Sequence, residues 1–431
     1  MTEVSGGPGA TGPDNLARLR DQAVDELVKN GTIISGPVEA AMRTVPRHLF
    51  IPEAEPDEAY NPFSAVVTRR DAEGNALSSV SDMHVQAWML EQAEIEPGMN
   101  VLEIGSGGCN AALIAELTGP TGQVTTVDID EFVTGRAARM LGEAGYPRVR
   151  VALADAEDGI PEHAPYDRIL VTFGAWDVPP VWAGQLTDSG GRLVLALRML
   201  GQQRTISFEK SDGCLVSVAS KLFGFVAAQG AGAHQARLLV MRSGEVTLRY
   251  DDEFPLDPEL LEGVFETPRA EVWSGAKIGA YELLDTVQMW LATALPGFCT
   301  LLVDKSLDTG AVAPPKNRSF AMATVDGASL AYVTTRAATE DEEKAAEFGV
   351  HAYGPQAAAL ADEVAAQLRT WAKVHRGGPG PQYRVYPAGT PDGRLPDRCR
   401  VIDKVHSRIT ISWPEAATAA GGQDVLSLLI K

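Results

Sequence analysis

A regular alternation of strand and helix patterns is the feature that most constrains how this chain folds. Short apolar strand patterns recur at residues 101–104, 123–127, 149–154, 167–172 and 192–196. Helix patterns follow the first two, at about residues 110–117 and 131–144. Strands that alternate with helices predict a parallel, doubly wound α/β sheet with helices on both faces. The segments TISFEK and LVSVASKLFGFVA, which come next, are expected to add strands at the edge of this sheet.

The pattern changes near residues 242–253, and we therefore predict a domain boundary there. Residues 1–15 are polar and rich in glycine, so they are expected to be a disordered lead. Residues 16–243 form the predicted first domain. Residues 244–431 carry their own helix patterns, including LLDTVQMWLATAL and residues 357–374, and their own strand patterns, YRVYP and RITISW. These patterns predict a C-terminal accessory domain of the α+β class.

Composition excludes several classes of partner. The 431-residue chain carries a formal net charge of −20, which argues against a nucleic-acid surface because phosphate binding requires a basic patch. No apolar run approaches the roughly 18 to 20 residues that span a bilayer, so no membrane partner is expected. The cysteines and histidines lack metal-ligand spacing, and we predict neither a disulfide nor a metal site. We expect a cytoplasmic protein with a peptide or small-molecule partner, and the oligomeric state stays open.

The segment VLEIGSGGCN places a glycine cluster directly after the first strand of the alternation. Gly105 and Gly107 let the backbone approach a ligand closely and turn into a helix. Asp128 ends the next strand, about 20 residues further on, where an acidic side chain accepts hydrogen bonds from a ribose. A nucleoside-containing ligand is therefore expected. The alternative is a tight turn that holds no ligand.

Two details favour S-adenosylmethionine over a dinucleotide. The spacing Gly105-x-Gly107-Gly108 departs from the pyrophosphate-binding pattern G-x-G-x-x-G. Glu103 precedes the turn, and its negative charge suits a ligand that carries an ammonium and a sulfonium group. Asp155, at the end of the third strand, is expected to accept a hydrogen bond from the adenine amino group. Its alternative role is that of a helix cap.

Several blocks of sequence between residues 16 and 228 occur in an order typical of one enzyme family. They are VPRHLFIPEAEPDEAY, SSVSDMHVQAWMLE, VLEIGSGG, VTTVDID, ADAEDGIPEHAPYDRILVT and QLTDSGGRLVLAL. Together they resemble the protein L-isoaspartate O-methyltransferase family. The resemblance implies a Rossmann-like class I methyltransferase fold, with S-adenosylmethionine as cofactor and S-adenosylhomocysteine as product.

The C-terminal half carries a narrower resemblance. The segments are EVWSGAKIGAYELLDTVQMWLATALPGF, HRGGPGP and RVIDKVHSRITISWP. They resemble the FxLD-type methyltransferases found with lanthipeptide systems, which are related to the aspartyl methyltransferases of graspetides and lasso peptides. This resemblance implies a carboxyl O-methyltransferase that esterifies an aspartate side chain in a ribosomally synthesised, modified precursor peptide. The ester would close to an aspartimide, with isoaspartate as its hydrolysis product, and the C-terminal domain would recognise the peptide.

The resemblance also implies roles for single residues. It places the cofactor against Glu103, Gly105, Ser106, Gly107, Asp128, Ile129, Asp155, Ala156 and His84. It places the substrate against Ser79, Ser81, Val226 and Gln229. Ser79 is the expected catalytic residue. Both serines have an alternative role as caps of the helix that begins near Met83, and His84 has an alternative role as a packed core histidine.

Two departures from the family pattern lie beside these residues. Ser81 and Asp82 stand where the repair family has proline and histidine, which weakens the expectation of isoaspartate as substrate. Cys109 replaces an aromatic residue after the last motif glycine and is expected to be a small packed residue beside the cofactor.

The expected reaction needs no general base, because an aspartate carboxylate is already ionised at neutral pH. Water stabilises the charged reactants, so the enzyme must position them and exclude water. Ser79 would hold one carboxylate oxygen and aim the other at the methyl group. Trp176 and Trp182 are expected in the core or the cavity wall. Two other functions stay open, namely isoaspartyl repair and a non-catalytic peptide-binding protein on a methyltransferase fold.

Overall fold

A computed structural model describes residues 12–105, 107–252, 257–279, 282–313, 320–338 and 345–414. The chain divides into two compact units. The first comprises Met1–Gln235, Arg384–Arg394 and Ile402–Ile409, and the second comprises Ala236–Tyr383, Leu395–Val401 and Thr410–Lys431. The sequence pattern did not foresee that two C-terminal segments return to the first unit.

The helices of the first unit begin where the sequence supplies proline or a capping side chain. Pro13 lies at the start of α1, which is why this helix begins before the predicted Leu16. Asp130 caps α6 through a hydrogen bond from the backbone N–H of Phe132. The helices are α1 (Pro13–Lys29), α2 (Gly36–Thr44), α3 (Pro56–Ala59), α4 (Met83–Ala93), α5 (Cys109–Thr118), α6 (Glu131–Glu143) and α7 (Pro180–Gln185).

The first unit is built on a twisted sheet whose centre is parallel. Its strands are β3 (Asn100–Ile104), β4 (Gln123–Asp128), β5 (Arg150–Leu153), β6 (Arg168–Ala175), β7 (Arg192–Met199), β8 (Gln202–Ser211) and β9 (Cys214–Leu222). They lie in the order β5-β4-β3-β6-β7-β8-β9. The strands from β5 to β7 are parallel, and β8 and β9 are antiparallel. From β3 the chain builds β4 and β5 on one side and then β6 and β7 on the other side. This strand order confirms the predicted doubly wound α/β fold.

A separate hairpin, β1 (Val66–Arg70) and β2 (Ala76–Val80), precedes α4. The sequence analysis did not predict it, because both strands are short and mostly half-buried and lack a clear apolar alternation. The hairpin matters because Ser79 lies on β2.

The main core of the first unit lies between the sheet and the helices packed on it. Side chains such as Leu27, Leu90 and Ile114 are fully buried there. The helix α5 is buried over most of its surface, which its nearly continuous apolar sequence explains. Every helix in the described part of the chain is too short or too polar to cross a membrane.

The second unit contains an antiparallel sheet with two helices. Its strands are β10 (Arg237–Met241), β11 (Val246–Tyr250), β12 (Ala270–Gly279), β13 (Phe298–Val303), β14 (Phe320–Asp326), β15 (Ser329–Ala337) and β16 (Ala345–Tyr353). The helices are α8 (Asp285–Ala294) and α9 (Ala357–Thr370), and a π-helical turn, Trp371–His375, follows α9. The strand order is β10-β11-β13-β14-β15-β16-β12. This arrangement is the predicted α+β class.

Three late strands extend the sheet of the first unit beyond β9. They are β17 (Gln382–Pro387), β18 (Cys399–Asp403) and β19 (Ser407–Ser412), in the order β18-β19-β17-β9. Arg384 and Val385 pair with Val216 and Leu215 of β9. The predicted strands YRVYP and RITISW are therefore present, but they join the first sheet.

Candidate active site

An open cavity with about 1130 Å³ of empty space, its mouth included, lies at the carboxyl ends of the parallel strands. Residues that follow β3, β4, β5 and β6 line it, as do residues of β2 and of the segment 226–229. This is the position at which doubly wound sheets bind their ligands. All but two of the predicted site residues line this cavity. The exceptions are His84 and Ser106, and Ser106 lies outside the described residues.

Gly105 makes the turn after β3 possible. Its φ is +100°, and a Cβ there would lie 2.6 Å from the hydroxyl oxygen of Thr172. That hydroxyl donates to the carbonyl oxygens of Ile104 and Gly105, at 3.1 and 2.8 Å. Any side chain larger than hydrogen would therefore displace the turn from the end of β6.

Glu103 is a fully buried carboxylate beside the glycine turn. Thr126 donates a hydrogen bond to its Oε2 over 2.5 Å, and Oε1 has no hydrogen-bond partner among the described residues. Burial raises the pKa of Glu103 to about 7, and the side chains of Thr126 and Asn110 offset part of this rise. A buried carboxylate oxygen without a partner is costly unless a ligand donates to it.

Asp128 and Ile129 follow β4 and both line the cavity. One carboxylate oxygen of Asp128 accepts a hydrogen bond from the backbone N–H of Asp130 over 3.0 Å. This bond orients the side chain at the strand end, where a ribose diol is expected. Ile129 is 41% exposed, so its side chain is available for an apolar contact with a flat ligand.

Asp155 caps a short turn and also lines the cavity, while its expected bond to the adenine amino group stays a prediction. Its Oδ1 accepts from the backbone N–H of Glu157 over 3.0 Å, so it caps the short 3₁₀ turn Ala156–Asp158. Its Oδ2 accepts from the backbone N–H of Ala231 over 3.2 Å, and the carboxylate still lines the cavity. Ala156 lines the cavity too, and its carbonyl accepts from the indole N–H of Trp182 over 2.8 Å.

Ser79 and Ser81 line the cavity and do not cap the helix that follows. Asp82 is the N-cap of α4, because its carboxylate accepts from the backbone N–H of Val85 over 2.7 Å. The structure therefore excludes the capping alternative for both serines. Aspartate suits this position, because it is among the best N-cap residues.

Val226 and Gln229 lie on the segment that crosses the cavity after β9. The carbonyl of Val226 accepts from the backbone N–H of Gly174 over 2.7 Å. The side-chain amide of Gln229 donates to the carbonyl of Leu77 over 3.0 Å. These bonds connect the crossing segment to β6 and to β2, so both substrate-side segments are held at one cavity.

His84 is the predicted cofactor contact that the structure does not place at the cavity. Its ring lies between Phe63 and Phe223, with ring centroids at 5.5 and 5.1 Å. Burial lowers the pKa of its imidazole, so the ring is neutral at neutral pH. The geometry supports the alternative of a packed histidine, because α4 turns this side chain toward the aromatic cluster.

The sequence analysis missed an acidic wall of the cavity formed by Glu157 and Asp177, next to Asp155. Burial raises the pKa of Glu157, and the charges of Asp155 and Asp177 raise it further. Trp176 and Trp182 also line the cavity, as predicted for wall residues. The signal for Asp177 was a single charged residue in the otherwise apolar run GAWDVPP.

The charges of the cavity fit the expected cofactor. Five carboxylate side chains and no lysine or arginine are found among the described residues that line it. The unpartnered oxygen of Glu103 offers an acceptor for an ammonium group, and Asp128 and Asp155 offer acceptors at successive strand ends. An acidic cavity of this shape suits a cationic nucleoside such as S-adenosylmethionine.

Comparison with known proteins agrees with this geometry. Residues 18–231 match the family model of Protein-L-isoaspartate(D-aspartate) O-methyltransferase. A Protein-L-isoaspartate O-methyltransferase of Methanopyrus kandleri is 39% identical over 197 residues, which cover 45% of this chain and 84% of the relative. One from Methanothermobacter thermautotrophicus is 38% identical over 177 residues, covering 41% and 78%. A solved protein-L-isoaspartate O-methyltransferase aligns over 82% of this chain and 91% of its own, with 23% identity and a TM-score of 0.46.

Fold, cavity and sequence matches together define an S-adenosylmethionine-dependent carboxyl O-methyltransferase, built on a Rossmann-like class I methyltransferase sheet. The interpretation as a non-catalytic peptide-binding protein is accordingly set aside. The chain belongs to the protein-L-isoaspartate(D-aspartate) O-methyltransferase family. The family match ends at residue 231, so the whole second unit lies beyond it.

Proposed function

We propose that this enzyme esterifies the free carboxylate of isoaspartyl residues in proteins or peptides, as expected for a repair methyltransferase. One observation carries the proposal. The segment that matches the family, residues 18–231, contains every described residue that lines the cavity except Gly232. The relatives that match it are named for action on isoaspartate.

The substrate carboxylate would enter on the side of β2. The hydroxyl of Ser79 would donate to one carboxylate oxygen and leave the other free to attack. A single neutral donor suits this task, because a strong ion pair would stabilise the ground-state carboxylate and reduce its nucleophilicity. The cavity lining offers no lysine or arginine among the described residues that would form such a pair.

Peptide and cofactor would be held by separate parts of the cavity. The peptide would be held beside Ser79 by Ser81, Val226 and Gln229. The cofactor would be bound by Glu103, Gly105, Ser106, Gly107, Asp128, Ile129, Asp155 and Ala156. When bound, S-adenosylmethionine supplies the electrophilic methyl group. The indole rings of Trp176 and Trp182 would exclude water, which otherwise stabilises the ionic reactants.

A second candidate is the FxLD-type function, esterification of an aspartate in a lanthionine-containing precursor peptide. Two observations favour it. Asp82 is committed to capping α4 and Ser81 lines the cavity, at the positions where the repair family has histidine and proline. The chain also continues well beyond the family match, through a second unit that would recognise the peptide.

A methylation assay with three peptides separates these functions. The three peptides are made from one sequence. The first carries isoaspartate at the target, the second carries aspartate, and the third carries the same aspartate enclosed by a lanthionine ring. Mass spectrometry would follow the gain of one methyl group and the later loss of methanol. The repair proposal expects the highest kcat/KM for the isoaspartyl peptide. Preference for the ring-constrained aspartyl peptide would overturn it in favour of the second candidate.

A further inference from the structure

The acidic wall of the cofactor cavity contacts a turn that lies more than 220 residues further along the chain. This turn, residues 404–407, joins β18 to β19, and we refer to it as the hairpin tip. It belongs to the first unit, within Ile402–Ile409. The backbone N–H of Lys404 donates to the carbonyl of Ser407 over 2.8 Å, which closes the turn.

The hairpin tip occupies both carboxylate oxygens of Asp177. The hydroxyl of Ser407 donates to Oδ1 over 2.5 Å, and the backbone N–H of His406 donates to Oδ2 over 2.6 Å. Asp177 is only 8% exposed and lines the cavity. Without these donors, a nearly buried carboxylate would keep only the bond from the backbone N–H of Val178. The tip therefore holds this carboxylate in place.

Two further wall residues contact the same turn. The imidazole Nε2 of His406 lies 3.5 Å from a carboxylate oxygen of Glu157. The ammonium nitrogen of Lys404 lies 4.3 Å from the ring centroid of Trp176 and donates to the carbonyl of Arg198 over 2.9 Å. The contacts to Glu157 and Trp176 fix side chains that line the cavity, and the bond to Arg198 holds the ammonium in place.

This wall is adjacent to the residue expected at the adenine ring. Glu157 follows Asp155 by two residues, and the backbone N–H of Glu157 donates to the Asp155 carboxylate. Trp182, which lines the same wall, donates to the carbonyl of Ala156. The wall that the hairpin tip supports is therefore the side of the cavity where the adenosine is expected.

We infer that the hairpin tip is a positioning element for cofactor binding. Each side chain acts through one wall residue: Lys404 through Trp176, His406 through Glu157, and Ser407 through Asp177. Together they set the shape and charge of the part of the cavity where the adenosine is expected. The C-terminal part of the chain thereby contributes to the methyltransferase site itself. The inference concerns the cofactor and does not depend on which carboxylate the enzyme methylates.

Calorimetric binding of S-adenosylhomocysteine to the full-length enzyme tests the inference without a peptide substrate. Ser407→Ala removes one donor to Asp177, and Lys404→Met removes the ammonium while keeping the aliphatic stem. Each change is expected to raise the Kd about fivefold to tenfold, because the lost contact acts on the cofactor only through a wall residue and transmits part of its energy. The matched control is Val405→Ala, in the same turn, whose side chain is 71% exposed. Its Kd is expected to stay within twofold of the wild-type value.

A purely structural role for the hairpin tip gives a different result. In that case the thermal unfolding midpoint falls in Ser407→Ala and Lys404→Met while the Kd of the folded protein is unchanged, which would overturn the inference. A double-mutant cycle adds an independent check. Asp177→Asn and Ser407→Ala should affect the Kd less than additively, since they break one interaction. Full additivity would also contradict the proposed contact. Failure to methylate any peptide, in contrast, would count against the proposed function alone.

Discussion

Thr126 donates its hydroxyl hydrogen to the carboxylate of Glu103 over 2.5 Å, at the centre of a parallel sheet. The two residues lie on adjacent strands in direct register. The bond satisfies Oε2, while Oε1 has no partner among the residues that the structure describes. The protein therefore keeps one buried acceptor for a ligand, and the ionisation of Glu103 should respond to that ligand.

We expect cofactor binding near pH 7 to release protons from Glu103. Burial raises the pKa of this group to about 7, and an ammonium partner would lower it. Calorimetry of S-adenosylhomocysteine binding in buffers of different ionisation enthalpy measures the number of protons released. Glu103→Gln should lose this release and bind more weakly. An identical proton count in both proteins would show that Glu103 does not face the cofactor cation.

The same carboxylate should make the ligand-free enzyme more stable in mild acid. Its pKa is about 7 in the folded state against 4.5 as the reference value. A raised folded-state pKa means that stability falls as pH rises from 4.5 to 7, by on the order of 3 kcal/mol for this group. Urea unfolding across this window should therefore show a shallower pH dependence for Glu103→Gln than for the wild type.

Ser79→Ala should reduce turnover and leave cofactor affinity unchanged. Loss of a donor to the reacting carboxylate is expected to lower kcat about tenfold to hundredfold. Ser78→Ala is the comparison at the adjacent cavity residue, and it is expected to affect kcat less because the Ser78 hydroxyl already accepts a hydrogen bond from Thr68 over 3.2 Å. Steady-state kinetics and S-adenosylhomocysteine calorimetry separate the two effects. Weaker cofactor binding in Ser79→Ala would place this serine on the cofactor side.

Gly230→Ala should weaken cofactor binding through a steric effect on two cavity residues. The φ of Gly230 is +70°, and a Cβ there would lie 2.6 Å from Asp155 Oδ2 and 2.6 Å from Ile129 Cδ1. Gly213 has a similar φ of +78°, but a Cβ there meets no atom within 4 Å. Gly213→Ala should therefore lose stability, by about 1 kcal/mol, with no change in cofactor Kd. Equal Kd values in the two variants would contradict the close approach at Asp155.

Asp82→Ala should destabilise the protein by about 1 kcal/mol through loss of the α4 cap. Asp82→Ser should restore most of this stability, because a serine hydroxyl also accepts from the helix N-terminus. Ser81→Ala should leave stability nearly unchanged, because Ser81 is not the cap. Chemical denaturation of the three variants measures these differences. A large loss of stability in Ser81→Ala would assign part of the cap to Ser81.

The parallel sheet and the acidic strand ends were predictable because their signals are local. Each strand and its following turn lie within a few residues, and the parallel arrangement brings Glu103, Asp128 and Asp155 to one edge. The role of Ser79 was predicted only through a resemblance to a family, and the hairpin that carries it was not predicted, since its two strands are short and half-buried. His84 shows the limit of that approach, because the family position is kept while its ring packs against Phe63 and Phe223.

The acidic wall was not predictable because its partners are remote in sequence. Asp177 and Ser407 are 230 residues apart, and no periodic pattern connects them. Likewise the strand patterns near residues 383–387 and 408–413 were recognised as strands, but their sheet was not. A strand pattern indicates which residues alternate and which are buried. The strand with which it pairs depends on tertiary packing.

Residues 402–409 belong to the first unit, although Ala236–Tyr383 and Leu395–Val401 of the second unit precede them in the sequence. The first unit is therefore discontinuous. During synthesis, the hydrogen bond from Ser407 to Asp177 can form only after Ser407 has left the ribosome, and the residues between the two are made first. The nascent chain can form its parallel sheet early, yet the wall at Asp177 is completed late. With the inferred role of the hairpin tip, full affinity for the methyl donor is expected only after Ser407 has been synthesised.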